Sequence, residues 1–393
     1  MPLPNRLSLA AAALLALSLA STAFAAPPHE GLVGELDALR RQSVAVGRAA
    51  QQHEMAIAAL RREVTLLERD AAGTQRGLDD TRREQAELLA ALERLARRPP
   101  EALALAPEGP IDRLRSGILM AAAVPALTAE AQALTREIDR LAAVRVQLGV
   151  KQDELAMRRA TLVKNHEVLA QMAVRRGELT RQLVRDDPEF EARLRLAGEQ
   201  AADLKDLIRR CDAEIERRDK GPTDRSARKA TPGGVDPTRP KMLRTLDAAQ
   251  PALTTPVASG IAQRFAQADA AGPAHDGIGF AATPGAVVLA PFDGRVAYAA
   301  AFRDFGLVLI IRHGGGYHSV LAGLGQIDVK PGRWVLAGEP LGTMSDVRAG
   351  DPGGGLQFEL RRDGRPVDPL PLLAQRGERS DNGTRAGDNR VRE

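Results

Sequence analysis

The chain has 393 residues, room for two or three domains, and its 55 basic and 51 acidic side chains leave a formal charge of +4. So even a balance gives no argument for a nucleic-acid partner, and the single cysteine, Cys211, excludes an internal disulfide. Aromatic residues make up 3% and the apolar count leans on Ala and Leu, which favours long helices over one large globular core.

Residues 1–25 read as an export signal. Arg6 supplies the positive end, Leu7 to Leu19 the apolar run, and Ala23-Phe24-Ala25 the cleavage site. The run is too short to span a bilayer, and no cysteine stands at the cleavage site to take a lipid. The mature chain is therefore expected to begin near Ala26, outside the cytoplasm and without a membrane anchor.

From Leu32 to Leu95 apolar residues recur at a 4-3 spacing, through Leu36, Leu39, Val46, Ile57, Leu60, Val64 and Leu88, with Arg, Glu, Asp and Gln between them. That is a coiled-coil seam, and His53 upon it reads as a polar interruption fixing register. A second run sets leucine at every seventh position from Leu127 to Leu169 and reaches Leu183 in the same register. No basic helix precedes it, which argues against a DNA-binding zipper. Pro99-Pro100, Pro107, Pro110 and Pro125 separate the two runs. They predict an antiparallel hairpin about 100 Å long, with a helix over 31–98, a tip over 99–126 and a return helix over 127–187. If Leu95 faces Leu127, then Leu32 faces about Phe190, and an extra helix over 190–218 has run out of partner. Its stripe of Phe190, Leu194, Ala197, Ala201, Leu204, Ile208, Cys211 and Ile215 must be covered, by a domain of the same chain or by a second copy.

Residues 219–254 are rich in Pro, Gly, Lys, Arg, Thr and Asp without periodicity and read as a flexible linker, and 374–393 as a disordered tail. Between them, 255–373 read as short β segments split by turn signals: Ala286 to Ala290, Arg295 to Ala299, Leu307 to His313, Tyr317 to Leu321, Leu341 to Met344 and Leu356 to Arg361. His313 and His318 end strands beside glycine turns, the usual place of a solvated or hydrogen-bonded histidine.

The order of these strands, with G-x-x-V-x-A-P-x-D-G-x-V at Gly285 to Val296 and L-x-F-E-L at Leu356 to Leu360, resembles the LytM-type (lysostaphin-like) metallopeptidase domain. The resemblance implies an all-β, duplicated hybrid-like fold. Active members bind zinc through H-x-x-x-D and H-x-H and activate a water with it. Here the first motif is His275-Asp276-Gly277-Ile278-Gly279 and the second Gly355-Leu356-Gln357, while Gly323 stands where a further catalytic histidine is expected. One imidazole does not hold a zinc that needs three or four donors, so neither a cofactor nor catalysis is expected. Glycine in place of ligands predicts a groove lined by His275, Asp276, Gly279, Phe280, Leu321, Gly323, Gln357, Glu359 and Arg361, suited to a helix of a partner.

Export signal, hairpin, linker and ligand-poor β domain in this order resemble the EnvC-type murein hydrolase activators, with Trp334 to Pro340 and Phe358 to Gly364 as the nearest segments. What that resemblance implies is a non-catalytic activator of periplasmic N-acetylmuramoyl-L-alanine amidases at the division septum. It also implies a coiled coil that engages an FtsEX-like ABC-transporter complex, and a helix that blocks the groove at rest. On this chain the blocking helix maps to Phe190, Leu194, Leu204 and Ile208, and the membrane-partner tip to Ile118, Leu119, Met120 and Val124. Competing readings are an active cell-wall metalloendopeptidase, a periplasmic adaptor of a pump, and a peptidoglycan-binding spacer.

Overall fold

The computed structural model describes residues 28–96, 110–184, 187–220, 236–246, 253–267, 275–347 and 354–373. The predicted signal peptide, residues 97–109 with the first part of the predicted tip, and the C-terminal tail lie outside these residues. Among the described helices none is long and apolar enough to cross a membrane.

Two long helices, α1 (Pro28–Ala96) and α2 (Pro110–Leu183), run antiparallel. Ion pairs that descend along one helix as they climb the other set the direction: Arg140 with Asp70, Lys151 with Glu63 and Arg175 with Glu35. Ile57, Leu60 and Leu155 form one buried cluster between them. At 69 and 74 residues each helix is about 100 Å long. The helical return starts earlier than the sequence suggested, at Pro110, and carries Pro125 inside it. Pro110 suits a first turn, whose N–H has no partner in any case. Pro125 deletes a single hydrogen bond from a helix many turns long, and the helix continues through it.

Two shorter helices follow, α3 (Pro188–Gln200) and α4 (Leu204–Lys220), where one helix over 190–218 was expected. The break has a local cause. Ala201 is extended, and Asp203 accepts from the N–H of Asp206 while Asp206 accepts from that of Ala202. Reciprocal side-chain bonds of this kind start a new helix. At the other end Asp187 caps Phe190 N–H, and Pro188 takes the first helical position.

The rest is antiparallel β structure: β1 (Ile261–Gln263), β2 (Ile278–Phe280), β3 (Val287–Leu289), β4 (Gly294–Ala301), β5 (Leu307–Arg312), β6 (Tyr317–Ile327), β7 (Trp334–Val335), β8 (Pro340–Met344), β9 (Leu356–Arg362) and β10 (Arg365–Val367). Ten strands join in one sheet whose main path is β1-β2-β9-β6-β5-β4-β7, with β10 on β9 and β3 and β8 branching from β6. Alternation gives the sheet two faces. One packs Ile278, Phe280, Leu309, Ile311, Leu321, Phe358 and Leu360 into the main core. The other presents Tyr298, Val308, Ile310, Val320 and Ala322, which are buried with Phe190, Leu194, Leu207, Ile208, Cys211 and Ile215 of α3 and α4. The stripe that had run out of partner is thus covered by the β domain of its own chain.

Residues 236–246, assigned to the linker from composition, pack on this domain, as does Asp219 near the end of α4. Thr238 is buried, Asp236 accepts from Trp334 Nε1, and Arg244 pairs with Asp293. Fixed partners outweigh the chain entropy that the composition suggested.

The hairpin base is fastened to the strands. Gly47 in α1 leaves room for Leu289 and Pro340, since a Cβ there would stand 2.9 Å and 3.1 Å from their side chains. Ala50 and Leu169 are buried with Val287 and Leu289. Around this contact Gln51 donates to Pro256 O, Glu54 accepts from Val287 N–H, and Arg40 donates to Thr238 O. The fully buried Glu339 accepts from Arg176 at 2.6 Å and from Leu336 N–H at 2.9 Å.

Candidate functional site

The positions of the zinc motif converge on neighbouring strands. Gly279 on β2 lies opposite Gln357 on β9, and Gln357 lies opposite Ala322 on β6. These three share the face on which α3 and α4 sit. Phe280 and Leu321, expected to line the groove, point the other way into the core, 3% and 0% exposed. A one-residue step along a strand reverses the side chain, and the expected lining mixed the two faces. Ala322, which that reading passed over, takes the place given to Leu321.

Nor do the glycines open empty space. A Cβ on Gly279 would lie 2.7 Å from Gln263 Oε1 and 3.2 Å from Gln357 Nε2, and those two amides are hydrogen-bonded at 3.0 Å. The pair sits over the glycine. A Cβ on Gly277 would meet Phe358 O, and one on Gly323, at φ 94°, would meet Gly355 O. Glycine is required at 277 and 323 by close backbone approach, while at 279 only a flexible glutamine stands in the way.

Beside the amide pair lies an ionic cluster. Arg361, 6% exposed, donates to Glu359 at 2.7 Å and Asp276 at 3.1 Å, and contacts Gly364 O. His275 adjoins it, its backbone exchanging hydrogen bonds with Ala266 and Gln267. The resulting surface strip runs from Gln263 and Gln357 to Asp276 and Glu359. It offers amide donors and acceptors and carboxylate oxygens, and it has no activated nucleophile.

A zinc ion does not fit this residue set. His275 is the one imidazole at the motif positions, Gln357 is spent on Gln263, and the carboxylates of Asp276 and Glu359 are held by Arg361. Among the described residues no group of three or more His, Cys, Asp or Glu side chains is arranged to hold a metal ion. The other two histidines of the domain are engaged elsewhere. His313 bonds Asp293 O and Ser319 Oγ, both at 2.8 Å, and burial pushes its pKa down to about 4. His318 pairs with Asp212 of α4 at 2.9 Å.

The helices α3 and α4 flank the strip. Lys205 near the start of α4 packs beside Gly364, next to Arg361. Farther along, Asp212 meets His318 and Arg312, and Asp219 meets Arg295 at 2.8 Å. Arg218 stacks over Phe190 at 4.4 Å, tying α4 to α3. The expected blocking residues Phe190, Leu194, Leu204 and Ile208 are all buried here. They rest on β4 to β6, beside Gly279 and Gln357 and not over them. Gln357 remains exposed. Cys211 lies within this contact, its thiol pushed up to about 12 by burial, which leaves it unreactive. Of the proposed membrane-partner tip, Ile118, Leu119, Met120 and Val124 are helical in backbone, and their side chains lie outside the described features.

Residues 273–369 match the model of Peptidase family M23, so the C-terminal region carries an M23 domain. The chain is 37% identical over 103 residues to the murein hydrolase activator NlpD of Escherichia coli, covering 26% of this chain and 27% of that protein. It is 36% identical over 100 residues to the murein hydrolase activator EnvC of the same organism, covering 25% and 23%. The matched stretch thus spans about a quarter of the length of these relatives. A solved structure, Csd3 of Helicobacter pylori, superposes with a TM-score of 0.29 at 24% identity over 32% of this chain and 36% of that one.

Proposed function

We propose that this protein switches on a cell-wall hydrolase by contact and does no cleavage itself. The partner we assign is a periplasmic N-acetylmuramoyl-L-alanine amidase acting at the division septum. The observation that carries the reading is the replacement of the zinc donors by an amide pair and an ion cluster on an intact M23 sheet. The names of the relatives, both murein hydrolase activators, support the same role. An exposed strip of amides and carboxylates at the edge of a buried sheet face can order a loop or helix of another enzyme, which is binding chemistry.

In this reading α3 and α4 are a restraint. They crowd the strip from one side, and their displacement widens the face on which a partner helix can lie. The hairpin base is fastened to the same domain through Arg176 and Glu339, so force or rotation applied to the hairpin by an FtsEX-like membrane complex reaches the sheet directly. The restraint and its release form a two-state equilibrium that the membrane partner biases.

The test is dye release from labelled cell wall by a purified amidase. The exported chain alone is expected to release nothing, and with amidase to raise the rate. A variant lacking residues 188–220 is expected to activate without the membrane partner. Release by the chain alone, abolished by a chelator, would reject the reading in favour of a metallopeptidase.

A further inference from the structure

The face of α2 that points away from α1 is mostly apolar from Ala143 to Ala160, with Asp153 as its one charged member. Leu141, Leu155 and Leu169 are buried toward α1 and the strands. At 100° per residue the opposite face therefore carries Ala143, Val146, Val150, Asp153, Met157 and Ala160. Val146 is 68% exposed, Val150 61% and Met157 68%. The outer face of a two-helix hairpin in water should be polar. Branched and long apolar side chains at 3-4 spacing are instead the seam of another coiled coil.

This strip is complementary to itself. A two-fold axis between Lys151 and Gln152, with a second α2 running antiparallel, sets Ala143 against Ala160 of the second copy and Val146 against its Met157. Val150 then faces Asp153, a layer at the centre that costs affinity because the carboxylate meets an apolar side chain. The next layer outward sets Asp139 against Lys164, and the one beyond sets Arg136 against Glu167, opposite charges both times. All four are exposed, and none has an ion-pair partner among the described residues. His166, Leu169 and Arg176, which meet the strands and the cavity beside them, lie on the other side of α2, so the β domains do not stand between the two helices.

We propose that the occupant of this face is a second copy of the chain, paired antiparallel through α2 in an isologous contact. The pairing does not rest on the activator reading. It would join two hairpins side by side with their M23 domains at opposite ends.

Sedimentation velocity of the full exported chain over a range of concentrations measures the pairing, and a reversible monomer–dimer equilibrium is expected. Under mild oxidation the A143C/A160C variant is expected to give a disulfide-linked dimer. Those two positions are about 25 Å apart on one helix, so any bridge between them joins two chains. V146E/M157E should abolish both dimer and cross-link while helical circular dichroism is retained. D139K should raise the dissociation constant by about tenfold, because two symmetry-related attractions become repulsions, and D139K/K164D should restore it. A chain that stays monomeric throughout without cross-linking overturns the proposal, as does a dimer indifferent to V146E/M157E and to D139K.

Discussion

The two faces of the central sheet are finished by different means. On one, Leu309, Ile311, Leu321, Phe358 and Leu360 close against the domain's own strands and loops. On the other, one part is roofed by α3 and α4, and another is left to Gln263, Gln357 and the ion cluster of Arg361. The first face is held by packing that has no alternative partner. The second is held by helices that rest on it as a separate layer, pinned at their flank by Asp212 and Asp219, and by polar pairs that water can replace. A protein that acts by exchanging partners needs its exchangeable contacts together, and here they share one face.

The sharpest way to break this comparison is to unseat the roof. Leu207 of α4 is fully buried, and Leu207→Asp would place an unpaired carboxylate in the apolar cluster that includes Val320 and Ile310. The expected outcome is loss of hydrogen-exchange protection in α3 and α4 with protection in β6 and β9 retained, together with amidase activation in the absence of the membrane partner. Loss of protection across the whole sheet would mean that the roof is part of the fold and cannot be detached.

Next in size is the fastening of the hairpin. Glu339 is fully buried and depends on Arg176 and the Leu336 N–H. Arg176→Met removes the cation hydrogen-bonded to that carboxylate and leaves only the buried Arg40 nearby as positive charge, a loss of about 3 kcal/mol. A double change with Glu339→Gln should recover much of it, since the uncompensated charge is then gone. Thermal unfolding of the three variants measures the difference.

A third test concerns the packed face alone. Burial holds His313 neutral with a pKa of about 4 against an ordinary 6.5. Between those values the unfolded chain binds a proton that the folded one refuses, so stability is complete above the upper value, falls as pH drops through the window and levels off near the lower. The shift corresponds to about 3 kcal/mol. Urea unfolding between pH 7 and pH 4 should show this slope, and His313→Gln should flatten it. A slope that persists in the variant would assign the proton uptake to another group.

Much of this architecture was legible in the residues, and what was missed has physical reasons. The heptads of α1 and α2 and the loss of the zinc motif follow from spacing and residue type, which a sequence displays directly. The groove lining was misjudged because Leu321 and Phe280 differ from their neighbours Ala322 and Gly279 only by strand parity, and parity needs the register of β2, β6 and β9. The break at Ala201 had a signal in Asp203 and Asp206, three residues apart. The docking of the hairpin base had a fainter one: Gly47, a glycine inside a long helix, where it weakens the helix unless something approaches closely. The packing of 236–246 had only the local bonds of Thr238 to Asp236 as a signal, because its long-range partners Arg40 and Trp334 arrive from distant parts of the chain.

The smallest expected effect on stability bears most directly on the site. Gln357 is exposed, and its bond to Gln263 competes with water on equal terms. Gln357→Ala is therefore expected to change unfolding free energy by no more than about 0.5 kcal/mol. Its effect on a partner should be larger, because a partner that lays a helix over Gly279 must displace this amide pair and use its donors and acceptors. Dye release in the presence of amidase should then fall several-fold while the melting temperature stays put. A result of that form separates contact from folding. If release is untouched by both Gln357→Ala and Gln263→Ala, the partner does not touch the vacated motif, and the exchange must take place on the ground now held by α3 and α4.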